Sequence, residues 1–208
     1  MLNPVFSFAI NSKTIKKPQL PLLLQEVEKN YAEAGTLVAN FSQTSFVSAL
    51  KQTKISSGRL MFKHPGKIRW ETLKPDPNLF VSDGVHFWFY TPPFEEGERG
   101  QVIKKKSSQI QSKLANALLS GSFSTLKEMK INKKDKSHFQ IFPKPGSSGN
   151  VSQAEIEVDT EQKWIKKVVL EFEGGNHTEI SLSEIQMGKV LENALFIFIT
   201  PKNTDQVK

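Results

Sequence analysis

Two kinds of hydrophobic pattern divide the chain, one helical and one extended. Pro21 suits the first position of a helix and Gly35 suits its left-handed end, so we predict a helix over residues 21–34. A second helix is predicted over residues 109–119, and a short turn near residues 124–129 extends it. The apolar positions with helical spacing are Leu20, Leu24, Val27 and Tyr31 in the first helix and Ile110, Leu114 and Leu118 in the second.

Outside these helices, short stretches of alternating apolar and polar residues are separated by turn residues. We interpret Ser56-Ser57-Gly58, for example, as a turn between two strands. Because the spacers are short, neighbouring strands are expected to run antiparallel, since parallel strands need long crossovers. The predicted strands are residues 37–42, 45–51, 58–63, 67–73, 79–82, 85–90, 100–105, 129–133, 138–143, 153–158, 164–172, 177–185 and 195–200.

These elements predict a mainly β fold of the α+β class, built on a single curved antiparallel sheet. An open sheet of so many strands must curl or close on itself. The two amphipathic helices then cover the concave side and leave an apolar cavity beneath them. We expect residues 21–208 to form this one domain. Residues 1–20 are expected to be an N-terminal extension or the remnant of a signal peptide, because the apolar start lacks a preceding basic region.

Composition narrows the chemistry that the chain can perform. Its 208 residues are 38% hydrophobic and 24% charged, which suits a folded domain and argues against a disordered or membrane-spanning chain. The absence of cysteine excludes disulfides, thiolate metal sites and a cysteine nucleophile. The four histidines are scattered without metal-ligand spacing, and no phosphate-binding glycine loop is present. We therefore predict no catalytic residue, no metal and no cofactor.

The net charge of +7 would attract nucleic acid, anionic lipid or an acidic partner, without choosing among them. The aromatic residues, which are 15 phenylalanines, 2 tyrosines and 3 tryptophans, argue against nucleic acid. Phenylalanine at alternate strand positions indicates an apolar interior, whereas single-strand nucleic-acid binders need exposed stacking rings. A basic nucleic-acid-binding domain stays a remote alternative, with Lys104-Lys105-Lys106 and the lysines of residues 127–136 as its support. We expect no nucleic-acid partner.

Aromatic and aliphatic side chains alternate along several predicted strands. Core packing accounts for many of them, but two modest helices cannot fill the concave side of so large a sheet. A remaining cavity would suit alkyl chains, because each buried CH₂ group contributes about 0.8 kcal/mol. The candidate ligand-binding residues are Leu60, Phe62, Ile68, Trp70, Trp88 and Tyr90 from the strands, and Leu114 and Leu118 from the second helix.

An ordered set of short motifs runs through the same region. Residues 64–71 read His-Pro-Gly-Lys-Ile-Arg-Trp-Glu, and residues 81–84 read Val-Ser-Asp-Gly. Further members of the set are Phe41-Ser42-Gln43, Gly58-Arg59-Leu60, Pro75, Pro77, Phe87-Trp88, Tyr90, Pro92, Phe196, Phe198 and Pro201. From about residue 36 to residue 201, this set resembles the outer-membrane lipoprotein carrier family (LolA).

The resemblance implies an incomplete antiparallel β-barrel whose hydrophobic cavity is covered by helices. It also implies a periplasmic chaperone that takes acylated lipoproteins from an inner-membrane exporter. The cargo would pass to an outer-membrane acceptor or to the membrane surface, without catalysis, and we expect the carrier to be a monomer. A lipid- or lipoprotein-sensing regulatory domain of the same fold is the alternative.

His64 departs from the motif of the family that the chain resembles. The family commonly has arginine before this Pro-Gly turn, and the resemblance implies that this residue locks the lid by hydrogen bonds. Neutral imidazole offers one hydrogen-bond donor where guanidinium offers five. We therefore expect His64 to be a weaker or pH-sensitive lid lock. Arg69 is expected to face the wrong side of the strand to replace it.

Overall fold

The computed structural model describes residues 20–207, except residues 110–112, 124–125, 127–128 and 145. The predicted extension over residues 1–20 therefore lies outside the described residues apart from Leu20, which is buried in the core. The start of the second predicted helix and most of the turn near residues 124–129 also lie outside them.

One curved sheet of twelve strands forms the body of the protein, which confirms the predicted mainly β, antiparallel fold. The spatial order is β12-β6-β5-β4-β3-β2-β1-β11-β10-β9-β8-β7, and every neighbouring pair is antiparallel except β12 with β6. The strands are β1 (Thr36–Val47), β2 (Gln52–Lys63), β3 (Lys67–Lys74), β4 (Asn78–Asp83), β5 (His86–Thr91), β6 (Gly100–Lys106), β7 (Lys130–Lys133), β8 (His138–Phe142), β9 (Val151–Asp159), β10 (Trp164–Phe172), β11 (His177–Met187) and β12 (Thr204–Val207).

Both helices pack on one face of the sheet, which we name the inner face. Helix α1 (Leu22–Ala34) buries Leu24, Val27 and Tyr31 and packs against β1 and β10, as its apolar spacing predicts. It ends at Gly35, whose φ of 67° is the left-handed conformation that terminates helices. Helix α2 (Lys113–Leu119) packs against β10. Burial of apolar side chains under these two helices forms the main core.

Two predicted boundaries on the long central strands are wrong. The predicted turn at Ser56-Ser57-Gly58 lies inside β2, where each of the three residues pairs with β1. Small polar residues are common in turns, but here they face neighbouring strands that leave little room. A Cβ atom at Gly58 would lie 1.9 Å from the Glu71 backbone oxygen. The predicted strand over residues 45–51 is instead the end of β1 followed by a 3₁₀ turn, Ser48–Leu50.

The predicted strand over residues 195–200 is also wrong. Its first part belongs to the 3₁₀ turn Asn193–Phe196, which packs on β3 and β4. The apolar residues do alternate, but this segment lies across strands that already have hydrogen-bonded neighbours on both sides. It therefore has no free strand edge to pair with. The chain reaches an edge only at β12, a strand that the sequence did not predict, where it pairs in parallel with β6.

The segment of residues 189–203, which we name the C-terminal strap, covers the opposite, outer face of the sheet. Lys63 Nζ donates to the Leu191 carbonyl at 2.6 Å, and Lys67 Nζ donates to Asn193 Oδ1 at 2.9 Å. Further along, Phe196 is buried and 1% exposed. The strap therefore gives the sheet a second, smaller apolar layer outside the main core.

We predict that Gly58→Ala lowers the free energy of unfolding by about 1–3 kcal/mol, because the new methyl group would overlap the Glu71 carbonyl and the Phe41 ring. Denaturant unfolding of the purified variant measures the change. Ser57→Ala is the matched control, since the Ser57 side chain makes no hydrogen bond to the part of the chain that the structure describes. Equal losses in both variants would contradict the close approach at Gly58.

Tyr31 predicts a pH dependence of stability. Its hydroxyl oxygen accepts a hydrogen bond from the Ile165 backbone N–H at 3.1 Å, and burial raises the pKa of the phenol far above its usual value. Folding therefore favours the neutral phenol, and its contribution is fully present below a pH of about 10 and lost as pH rises further.

Replacement of Tyr31 by phenylalanine should cost about 1–3 kcal/mol at neutral pH, because the Ile165 N–H loses its acceptor. Above a pH of about 10, unfolding free energy should fall more steeply in the wild type than in Tyr31→Phe. Urea unfolding of both proteins across this pH range measures the two slopes. Parallel slopes would show that Tyr31 does not carry this dependence.

Candidate functional site

The inner face of the sheet is not completely filled by the helices. A cavity of about 510 Å³ remains, which lies within the range of small-molecule sites in proteins. Ala115, Asn116 and Leu119 of α2 form one wall. The apolar part of the sheet wall is lined by Phe62, Ile68, Trp70, Phe80, Phe89, Leu170, Phe172 and Ile180.

The cavity lies toward one end of the sheet, and α1 covers the other. Lys54, Asp76 and Thr178 line the cavity close to the turns β1–β2, β3–β4 and β10–β11. At the opposite end, Asn30 of α1 donates hydrogen bonds to the carbonyls of Gln162 and Lys163 in the β9–β10 turn. The mouth is therefore expected at the end where β1 meets β2.

Three of the candidate ligand-binding residues line this cavity: Phe62, Ile68 and Trp70. Trp70 packs on Phe41 with 4.4 Å between ring centroids, which fixes the position of its ring in the wall. Leu60 lies on the same inner face but is fully buried in the core. Leu114 and Leu118 are likewise buried beneath α2, whereas the residues next to them, Ala115 and Leu119, reach the cavity.

Trp88 and Tyr90, in contrast, lie on the outer face, so their placement in the cavity wall is corrected. Trp88 is directly opposite Val81 in the β4–β5 ladder, and both rings face Phe198 of the C-terminal strap at centroid distances of 6.3 and 5.6 Å. Phe87 and Phe89 have the inner positions. Residues 87–90 are all aromatic, so no alternation of apolar and polar side chains could indicate which pair faced inward.

His64 is exposed in the β2–β3 turn, at the end of the sheet away from the cavity. Its backbone N–H donates to the Gly35 carbonyl at 2.9 Å, which ties this turn to the end of α1. The imidazole makes no hydrogen bond to the described part of the chain. Arg69 lies on the outer face, as expected, where it donates to the Leu195 carbonyl. The role of His64 as a lid lock stays a prediction.

Polar residues of the cavity wall are the part of the site that the sequence reasoning missed. They follow the inner face from β11 to β4, on strands that also carry apolar inner residues such as Ile180 and Phe80. The available signal was a change from apolar to polar residues along one strand face, as from Phe41 to Gln43 and Ser45 in β1. We name six of them the polar band: Gln43, Ser45, Ser56, Thr72, Asn78 and Thr178.

Charged groups at the mouth are paired. Lys54 Nζ and Asp76 Oδ2 lie 2.7 Å apart, and both side chains are more than half exposed. Within the described residues, no group of three or more His, Asp or Glu side chains could hold a metal ion, and no helix is long and apolar enough to cross a membrane. The site offers an apolar cavity with hydrogen-bonding groups and one ion pair at its mouth.

The amino-acid sequence is similar to those of known proteins of one family. The family model of the outer membrane lipoprotein carrier protein LolA matches residues 32–199. The chain belongs to this family. It is 30% identical to the outer-membrane lipoprotein carrier protein of Dechloromonas aromatica (strain RCB) over 188 residues, with 83% of this chain and 81% of the relative covered. The carrier protein of Legionella pneumophila (strain Corby) is also 30% identical, with 83% of each chain covered.

A solved structure has a similar fold. An uncharacterized conserved protein from Thermus thermophilus superimposes with a TM-score of 0.54 over 89% of this chain and 97% of that structure. At 12% sequence identity, this likeness concerns the fold alone.

Some of the residues that carry the resemblance to the lipoprotein carrier family build turns. Ser82 Oγ donates to the Gly66 carbonyl at 3.3 Å and accepts from the Gly84 N–H at 3.2 Å, so two turns are joined through one hydroxyl. Asp83 accepts hydrogen bonds from the backbone N–H groups of Val85 and His86; although burial opposes them, they hold its pKa below the usual value. This part of the motif therefore shapes the end of the sheet away from the mouth.

Trp70 and Trp88 allow a matched test of which face binds apolar molecules. We predict that Trp70→Glu strongly reduces binding of an apolar fluorescent dye, because it places a carboxylate in the apolar wall. Trp88→Glu changes the same residue type on the outer face, and dye binding should stay near the wild-type level. Fluorescence titration measures binding, and circular dichroism verifies the fold of each variant. Normal dye binding by folded Trp70→Glu would contradict the assignment.

Proposed function

We propose that this protein is a periplasmic chaperone that binds the acyl chains of lipoproteins in its cavity and carries them from the inner to the outer membrane. Membership of the lipoprotein carrier family supports lipoprotein cargo, and favours a carrier over a sensing domain. The observation that carries the proposal is the cavity on the inner face, whose wall is mainly aromatic and aliphatic.

The physical task of such a carrier is to keep acyl chains out of water during transit. Each CH₂ group moved from water into an apolar cavity contributes about 0.8 kcal/mol, so the many CH₂ groups of a long chain favour the bound state strongly. The carrier must also release its cargo, which requires part of the wall to move. Binding and release of this kind involve no bond making or breaking, and we propose no enzymatic activity.

Helix α2 is the element that we propose as the movable lid. Its described part has seven residues, it forms one wall of the cavity, and it packs mainly against the single strand β10. Leu114 and Leu118 hold it down through apolar contacts with the core. A lid fixed by apolar contacts can exchange them for contacts with acyl chains of the same chemistry, so that loading and opening are coupled.

The proposed partners follow from the route. An inner-membrane exporter would supply the acylated lipoprotein, and an outer-membrane acceptor or the membrane surface would receive it. We propose that the protein acts as a monomer, since one chain contains the complete cavity.

Mass spectrometry of the protein purified from the periplasm of its native host tests the proposal. Acylated lipoproteins should co-purify with the wild type and be depleted with Trp70→Glu. A variant with Trp88→Glu is the matched control, since that residue lies outside the cavity. Recovery of the protein only from the cytoplasm, or equal cargo on the wild type and Trp70→Glu, would argue against the carrier function.

His64→Arg tests the proposed lid lock. An arginine can bridge several carbonyl groups at once, so we predict slower spontaneous release of an acylated fluorescent peptide than from the wild type. If the imidazolium of His64 contributes to closure, wild-type release should also be slower at acidic than at neutral pH. Stopped-flow release at pH 5.5 and 8 measures both effects. Identical rates for both proteins at both pH values would show that residue 64 does not control the lid.

A further inference from the structure

The polar band extends over five neighbouring strands at the mouth end of the cavity, with a step between β2 and β3, where Thr72 is opposite Gly58. Gln43 is directly opposite Ser56 in the β1–β2 ladder, and Ser45 is opposite Thr178 in the β1–β11 ladder. Thr72 is opposite Asn78 in the β3–β4 ladder. Deeper in the cavity the same strand faces are apolar, with Ile68 and Trp70 of β3 as the neighbours of Thr72.

Several members of the row have hydrogen-bonding capacity that the protein does not use. Thr72 is 7% exposed and lines the cavity, yet its hydroxyl makes no hydrogen bond to the described part of the chain. The hydroxyl of Ser56 is likewise unpaired there. Asn116 of α2, in the facing wall, has a shielded Oδ1 atom without a partner among the described residues. Among these atoms only Asn116 Oδ1 is shielded, whereas the Thr72 and Ser56 hydroxyls reach the cavity surface. A ligand that fills this part of the cavity must therefore offer polar groups of its own, or it leaves these atoms without hydrogen bonds.

Other members are already positioned by one another. Gln43 Nε2 donates to Ser45 Oγ at 3.0 Å, and Ser45 Oγ lies 3.2 Å from Thr178 Oγ1. The Gln43 carboxamide oxygen stays available as an acceptor. The row therefore offers hydroxyl donors at Ser56 and Thr72 beside an amide acceptor at Gln43. Ester carbonyls and an amide N–H are the complementary groups.

The charges at the mouth argue against an anionic headgroup. Lys54 is the cation that lines the cavity among the described residues, and Asp76 already pairs with it at 2.7 Å. A phosphate or a free carboxylate would find no unpaired positive charge in the wall. An uncharged ester or amide needs none.

We propose that the polar band is a subsite for the uncharged ester and amide groups that join the acyl chains to the N-terminal cysteine of a lipoprotein. This proposal rests on the proposed carrier function and names the part of the cargo that is recognised. The acyl chains lie in the apolar depth of the cavity and the ester carbonyls accept hydrogen bonds from Thr72 and Ser56. An alkane-like ligand would displace water from these groups without replacing its hydrogen bonds, and so would bind less well.

Thr72→Val tests the subsite, because valine keeps the shape of threonine and removes only the hydroxyl. Two probes are compared by isothermal titration calorimetry: a synthetic dipalmitoylglyceryl-cysteine peptide, and its dialkyl ether analogue, which lacks the ester carbonyls. The wild type should prefer the ester probe by roughly three- to tenfold, the value of about one hydrogen bond. The preference should fall in Thr72→Val, and any part that stays is expected from the Ser56 hydroxyl. Thr44→Val, on the outer face of β1, is the matched control and should keep it.

The two proposals fail in different ways. If the wild type binds neither probe, the carrier function is wrong and the subsite falls with it. If the wild type binds both probes equally, or if Thr72→Val keeps the wild-type preference for the ester, the subsite is overturned while the carrier function stands. An equal loss for both probes in Thr72→Val would assign Thr72 a purely structural role. Denaturant unfolding separates that case, since loss of an unpaired hydroxyl should leave stability unchanged or raised.

Discussion

Burial of the inner face of one curved sheet is the constraint on which the rest of the structure depends. The strands present apolar side chains to this face, from Ile141 at one side to Phe89 at the other, and water must be excluded from them. Helices α1 and α2 are too short to cover the whole area. The cavity is what remains between the helices and the sheet.

Periodicity predicted much of this fold because most elements are local. The first helix was found from its spacing and from Gly35, and β10 was found with its full length, since alternation and turn residues agreed there. The errors share a different cause. Ser56-Ser57-Gly58 reads as a turn locally but is held in β2 by both neighbouring strands, and the strap reads as a strand but has no edge to pair with until β12. Both outcomes are decided by distant parts of the chain.

The sequence predicts the family of this protein better than it predicts the residues of the candidate site. Among the residues that carry the family resemblance, Ser82 and Asp83 fix turns away from the cavity whereas Trp70 lines it, so the resemblance identifies the fold without separating these roles. For Trp70 the alternation showed which residues share its strand face but not which face lines the cavity, and the structure shows that Trp70 lines it. For Trp88 the neighbours were aromatic on both sides, and only the ladder with Val81 and the contact with Phe198 decided it.

The C-terminal strap has a mechanical consequence. It is tied to β2 and β3 by lysine hydrogen bonds, it packs on β5 through Phe198, and it continues into β12 on the edge of β6. The strap thus restrains one half of the sheet from its outer face. Among the described residues, no comparable segment covers the outer face of the half from β7 to β11. In the half from β7 to β11, resistance to bending therefore comes from strand pairing and from the helices that pack on β10.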